Sequence, residues 1–446
     1  MGLTSRDAAF ATELVSGVAR SLGTLDAIVA SAAGRPLNTL QPAVIDALRL
    51  GAYQALRMRV PSPAAVGTTV DLAASQIGER VAGVVNAVMR RVVARQWDDW
   101  LNHLSTGLDD LDALALRTAH PRWIVDAFAD LLPNDELAAV LEADNTPPQP
   151  TLAVRPELLQ RDELVDATGG APTRYSPWGV VVAGDPGNVH AIADGRAGVQ
   201  DEGSQLVVLA AWRAAQSVPT SGPWLDLCAG PGGKTALLRG LAQGGVPPVG
   251  KAGLHVGGVR PHRAIWTPQV DATGCDGVFL VAADAQPHRA KLVAQALRGF
   301  DGAGHQVIVA DGTRPAWCGG ELGFVLADVP CSGLGALRRR PEARWRRQPA
   351  DLDALTSLQA GLLDSALTSV SPGGLVAYVT CSPHRQETAD IVLSSAARHN
   401  AAILDAPSWL PEVPQCTAAT DARFVQLWPH RHGTDAMFLA LLRRTQ

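Results

Sequence analysis

Three short stretches of this chain hold residue types that do covalent chemistry when a fold brings them together. The first is Trp224–Thr235, WLDLCAGPGGKT, where an apolar run enters a glycine-rich turn and then a helical pattern. Glycine lets the backbone approach a ligand without an intervening Cβ, and a helix N-terminus presents N–H groups without intrahelical partners. A nucleoside-type cofactor suits such a loop. Gly233-Lys234-Thr235 also ends like a phosphate-binding loop, but G-x-x-x-x-G-K-[ST] requires glycine at 228, where this chain has Cys228. Nucleotide hydrolysis is therefore the weaker reading. The other two stretches are Asp328-Val329-Pro330-Cys331-Ser332-Gly333 and Thr380-Cys381-Ser382-Pro383, each following an apolar run. A thiol near a cation or a helix N-terminus is acidified, and its thiolate is a nucleophile. Either cysteine alone reads as a small buried hydrophobe. Two of them after sheet strands, one beside an aspartate, read as a reactive pair. Cys275, Cys318 and Cys416 have no such context, and no CxxC pair or His spacing suggests zinc, so no metal is expected.

These residues need a scaffold, and the pattern around them supplies one. From Pro223 onward, short apolar runs (PWLDLCAG, VFLVAAD, QVIVADG, FVLADVP, GLVAYVT) alternate with helical segments, which predicts a mainly parallel sheet covered by helices. Ligands in such folds bind at the carboxyl ends of strands, and Asp226, Asp284, Asp311 and Asp328 all fall there. Residues 1 to 145 read instead as helices, with apolar positions recurring at three and four residue intervals over 43–56, 66–77 and 81–93. NTPPQP at 145–150 marks a joint, after which TLAVRP and WGVVVAG look like strands and DEGSQLVVLAAWRAA like a helix. Residues 245–277, rich in Gly, Pro and Val, stand as an insertion where a short crossover is expected.

Composition sets outer limits. The chain has 446 residues, 47% of them hydrophobic and 18% charged, which excludes wholesale disorder. No uninterrupted apolar run approaches the roughly 20 residues of a membrane helix, and MGLTSRDAAFATELV lacks the regions of a signal peptide, so a soluble cytoplasmic protein is expected. The net charge of −5 makes any nucleic-acid surface a local one. Arg338, Arg339, Arg340, Arg344, Arg346 and Arg347, with Trp345 among them, provide it directly after the Cys331 motif. Arginine matches phosphates and stacks on bases, and tryptophan is a stacking platform.

Taken together, DLCAGPGGKT, DVPCSG and VTCSP, in that order, resemble the motifs of the bacterial Sun/RsmB branch of RNA cytosine-5 methyltransferases. GVQDEGSQ and QLWPHRHGTDAMFLALLRR fit the same branch, and the helical first domain is similar to its NusB-like RNA-binding domain. The likeness covers almost the whole chain. It implies a multidomain protein: an all-α NusB-like domain over 1–143, a linker and small α/β segment over 144–215, and an α/β Rossmann-like methyltransferase domain over 216–446. Another helix or so generally precedes the RDAAFATELV segment in that branch, so the first domain is expected to be short at its N-terminus. Val329 stands where alanine is more usual.

The resemblance also implies roles. S-adenosylmethionine would lie against Cys228, Ala229, Gly230, Pro231, Gly232, Gly233 and Lys234, with Asp284 on the ribose hydroxyls, Asp311 on the adenine amino group and Asp328 nearby. Asp271 is the rival to Asp284. Cys381 would add to C6 of a cytidine, Cys331 would assist product release, and Asp328 would hydrogen-bond the N3/N4 edge of the base. The base must be unstacked to be reached. The expected substrate is small-subunit ribosomal RNA and the expected state a monomer, with no membrane partner. The alternative is a non-catalytic RNA-binding or ribosome-assembly factor that keeps the fold.

Overall fold

The computed structural model describes residues 4–217, 222–242 and 278–445. The 245–277 segment, with Asp271 and Cys275, lies outside the described residues. The chain divides into two units, Met1–Thr146 with Leu337–Gln348, and Pro147–Ala336 with Pro349–Gln446.

The first unit is helical: α1 (Ser5–Ala33), α2 (Pro42–Arg57), α3 (Ser62–Gln76), α4 (Glu79–Val92), α5 (Trp97–Ser105), α6 (Asp110–Thr118), α7 (Arg122–Ala129) and α8 (Asn134–Ala143). The helical periodicity is what folds it. In α4, Val85, Val88, Met89 and Val92 are buried, one stripe at three and four residue intervals. They join Leu25, Ile28, Val29, Leu48 and Trp100 in a single core. By length and mean hydropathy, α1 alone among the described residues could cross a membrane; Leu25, Ile28, Val29 and Ala32 are the stripe it gives to the core.

Residues 337–348 were expected in the methyltransferase domain as an RNA-facing arginine run, yet they pack with the helical unit. Arg344 is fully buried. Its Nη1 donates to the carbonyls of Arg20 (3.3 Å) and Ala119 (3.1 Å) and to Asn145 Oδ1 (2.8 Å), and its Nη2 to the carbonyl of Asp144 (3.2 Å). Trp345 is partly buried, and its Nε1 donates to the carbonyl of Ala19 at 2.9 Å. Its ring lies so close to α1 that a Cβ on Gly23 would sit 2.2 Å from it. A guanidinium leaves water only where acceptors replace hydration, and burial still draws that of Arg344 down to about 10. These two side chains are pins of the helical unit, which corrects the expectation that they face RNA. Arg338 is also buried, whereas Arg339, Arg340 and Arg346 are exposed.

The second unit opens with a small antiparallel sheet of β1 (Thr151–Val154), β2 (Ala171–Pro172), β3 (Gly179–Val181) and β4 (Ala197–Val199), in the order β2-β3-β1-β4. Helices α9 (Arg161–Thr168) and α10 (Glu202–Ser217) accompany it. The main sheet follows: β5 (Trp224–Asp226), α11 (Gly233–Ala242), β6 (Leu280–Asp284), α12 (Pro287–Ala296), β7 (His305–Val309), β8 (Leu322–Asp328), α13 (Asp351–Ser369), β9 (Val370–Thr380), α14 (Ala389–Arg398), β10 (Ala401–Leu404), β11 (Val425–Gln426) and β12 (Phe438–Arg444). The order is β10-β12-β9-β8-β5-β6-β7, with β11 beside β12. Strands β5 to β9 are mutually parallel as expected, while β12 runs antiparallel to both β9 and β10, so the sheet is mixed.

Helices cover both faces, which is why the central strands read as continuous apolar runs. Phe324 and Leu326 point to the core that holds Leu206 and Leu237. Val325 and Ala327, one residue out of phase, point to the core that holds Leu362 and Val392. The chain leaves β5 for β6 and β7 on one side, then crosses to β8 and β9 on the other. The glycine loop after β5 therefore stands at the switch point of the sheet, where ligands bind in open α/β folds.

Candidate active site

Asp226, Asp284 and Asp328 are the last residues of β5, β6 and β8; Asp311 lies just past β7 and Cys381 just past β9. The parallel register sets them along one sheet edge. Between β5 and α11 the loop is held against its neighbours by glycine. A Cβ at Gly230 would come 2.5 Å from Asp284 Oδ2, and one at Gly232 (φ +106°) would meet Ala296 Cβ at 2.7 Å. Asp284 is buried and closes the loop: Oδ2 accepts from Gly230 N (3.0 Å) and Arg289 Nε (3.0 Å), and Oδ1 from Gln286 N (2.9 Å). Arg289 reaches on to the carbonyl of Gly230. Asp311 is exposed and turned back on its own loop, with Oδ1 accepting from Thr313 N (2.9 Å) and Oγ1 (2.7 Å), bonds that lower its carboxyl.

Beneath the loop, Asp226 is buried and accepts from Thr235 Oγ1 at 2.6 Å. Burial outweighs that bond and pushes its carboxyl up to about 7. Lys234 extends from the start of α11 to Asp328 Oδ2 at 2.7 Å. Burial disfavours the Lys234 charge, but Asp328 more than restores it, so the ammonium is held above its ordinary value. Burial beside three carboxylates drives Cys228 far up, which leaves it a neutral thiol in the loop.

The two motif cysteines meet. Cys331 Sγ and Cys381 Sγ are 3.3 Å apart, both partly exposed. The hydrogen bond from Cys331 lowers Cys381 against the effect of burial, and Lys234 lowers it further. Cys331 is raised by the same bond and by burial. Of the two thiols Cys381 is therefore the one favoured to ionise, with Cys331 placed to donate to it, an arrangement able to attack an electron-poor carbon and to stabilise the sulfur when it leaves.

Sequence reasoning missed Glu387, Gln359 and Arg289. Glu387 is fully buried and joins the loops that carry the cysteines. Its only signal is an acidic residue shortly after a cysteine motif, which an exposed turn explains equally well.

The model of the family described as 16S rRNA methyltransferase RsmB/F matches residues 273–443, and the NusB family model matches residues 2–94. A Mycobacterium tuberculosis protein named as a methyltransferase, Rv1407, is 45% identical over 99% of this chain and 90% of its own length. Ribosomal RNA small subunit methyltransferase B of Cronobacter sakazakii is 30% identical over 99% of this chain and 91% of its own. The chain belongs to the RsmB/F methyltransferase family. It is an RNA methyltransferase that uses S-adenosylmethionine. The crystal structure of PH0851 shares the fold, with a TM-score of 0.74 and 19% identity over 99% of this chain and 91% of that one.

The site fits that cofactor. The cradle at Gly230 and Gly232 admits no Cβ. Asp284 at the end of β6 and Asp328 at the end of β8 would offer it acceptors for hydroxyl groups and negative charge for a sulfonium, and the N-terminus of α11 would favour a carboxylate.

Proposed function

We propose that this protein methylates C5 of a cytidine in small-subunit ribosomal RNA through a covalent bond between Cys381 and C6 of the base. The observation that carries the reading is the sulfur pair, 3.3 Å apart at the edge of the sheet with the Lys234–Asp328 ion pair alongside. C5 of cytosine is a weak nucleophile. Addition of the Cys381 thiolate to C6 moves electron density onto C5, while Asp328 accepts a hydrogen bond from the N4 amino group and holds the base. Residues 228–234 would hold S-adenosylmethionine, with Asp284 toward the ribose and Asp311 toward the adenine, and the bound cofactor would supply the electrophilic methyl and be left as the neutral thioether S-adenosylhomocysteine. Loss of the C5 proton to a base then expels Cys381, and the Cys331 thiol stabilises the departing thiolate by its hydrogen bond. Arg339, Arg340, Arg346 and Arg347 contact the phosphates of an unstacked strand, while buried Arg338 does not. Arg344 and Trp345 have no part in this.

RNA transcribed with 5-fluorocytidine tests the covalent step, because fluorine at C5 cannot leave as a proton. Wild type with cofactor forms an adduct that survives denaturing electrophoresis, and Cys381→Ala forms none. An equal adduct with Cys381→Ala, or none with wild type, contradicts the reading.

A further inference from the structure

We propose that Glu387 is the positioning residue that sets the two reactive sulfurs against each other, an inference that rests on the methyl-transfer reading above for its catalytic consequence. Glu387 closes a short turn, Arg385–Glu387, between Cys381 and α14, and is fully buried. Its carboxylate has four donors. Oε1 accepts from Ser332 N at 2.7 Å and Gln359 Nε2 at 3.0 Å; Oε2 accepts from Ser332 Oγ at 2.5 Å and Ser382 Oγ at 2.6 Å. Ser332 directly follows Cys331, and Ser382 directly follows Cys381. One carboxylate therefore grips the neighbour of each sulfur.

Further bonds fix the grip to the fold. The Glu387 carbonyl accepts from Tyr378 Oη in β9 at 2.8 Å, and Gln359 also donates to the carbonyl of Pro330 at 2.9 Å. All four carboxylate partners are neutral. A buried carboxylate is costly without compensation, and apolar packing would hold two loops at less cost. What apolar packing cannot do is orient both loops by directed bonds. The hydrogen bond to Cys381 and burial disfavour a Cys331 thiolate most, and Glu387 adds to them in the same direction.

The test uses the full chain and reads sulfur geometry without any methyl transfer. Diamide oxidises two thiols to a disulfide and is itself reduced to the hydrazine; a Cys331–Cys381 disulfide requires the sulfurs to remain in register. Non-reducing peptide mapping measures its rate of formation. Wild type cross-links readily, Glu387→Ala slows at least about tenfold, and Glu387→Gln, which keeps the shape and the acceptor oxygen, recovers most of the rate. In RNA methylation, Glu387→Ala lowers kcat about a hundredfold with the KM for S-adenosylmethionine within about twofold. Should Glu387→Ala fail to fold, Ser382→Ala removes one donor from the Cys381 loop and shows the same effects in smaller measure. Folded variants that cross-link and turn over like wild type overturn the proposal. Lost cross-linking in Glu387→Ala, from a wild type that makes no 5-methylcytidine, would retain the alignment role and reject the methyl-transfer reading.

Discussion

The cysteine loops and the arginine run that follows them both look reactive in the sequence, and the fold treats them in opposite ways. Cys331 and Cys381 lie just beyond neighbouring parallel strands, so the sheet delivers them to one edge as a pair. Arg344 and Trp345 follow soon after, yet they donate to backbone carbonyls and the Asn145 side chain of the helical unit. A strand end holds its residue at a ligand-facing edge. A charged run carries no such constraint, and its members go wherever acceptors and packing take them.

Four substitutions test that contrast. Lys234→Met has the largest effect: with the cation beside Asp328 and Cys381 removed, methyl transfer falls by about two to three orders of magnitude. The pH profile of Cys381 alkylation by iodoacetamide moves upward, since Lys234 favours the thiolate. An unchanged profile would detach Lys234 from the thiol. Arg344→Ala comes next, destabilising the helical unit by about 3 kcal/mol through lost packing and unsatisfied carbonyls. Chemical denaturation measures this, and the salt dependence of RNA binding stays that of wild type; a changed salt slope would return Arg344 to the RNA surface.

Asp226→Asn removes a pH dependence. Because the folded carboxyl lies near 7, above the unfolded value of about 4, its contribution to stability is complete below about pH 4. That contribution declines by up to about 1.4 kcal/mol per pH unit and is lost as the pH rises through about 7. Melting temperatures of wild type and Asp226→Asn accordingly converge at pH 4 and separate at pH 8, with the variant higher. A constant gap would mean that Asp226 is ionised throughout. The smallest effect belongs to Arg346→Ala at an exposed position: stability changes by less than about 0.5 kcal/mol, while the salt slope of RNA binding drops by about one.

Much of the scaffold was legible because it rests on local rules. The helices at 43–56 and 81–93 follow from apolar spacing, and the carboxyl-edge acids follow from where apolar runs stop. The orientation of β12 was not legible, since an apolar run such as MFLALL packs equally well in either direction. Arg344 was misread because three of its four acceptors are backbone carbonyls, at Arg20, Ala119 and Asp144, and a backbone oxygen leaves no mark in the side-chain pattern. Glu387 was invisible for a related reason: its main partner, Ser332, lies 55 residues earlier and becomes a neighbour only when β8 and β9 pair. Side-chain type and spacing reveal which residues are able to react. The bonds that aim them are long-range.

Whether Cys381 makes 5-methylcytidine is tested most directly by nucleoside mass spectrometry of small-subunit ribosomal RNA. The RNA is incubated with purified protein and S-adenosylmethionine labelled at the methyl group, then digested. Labelled 5-methylcytidine is expected with wild type and none with Cys381→Ala, although that variant still binds both cofactor and RNA. Label on another atom, or equal label with Cys381→Ala, would contradict that expectation.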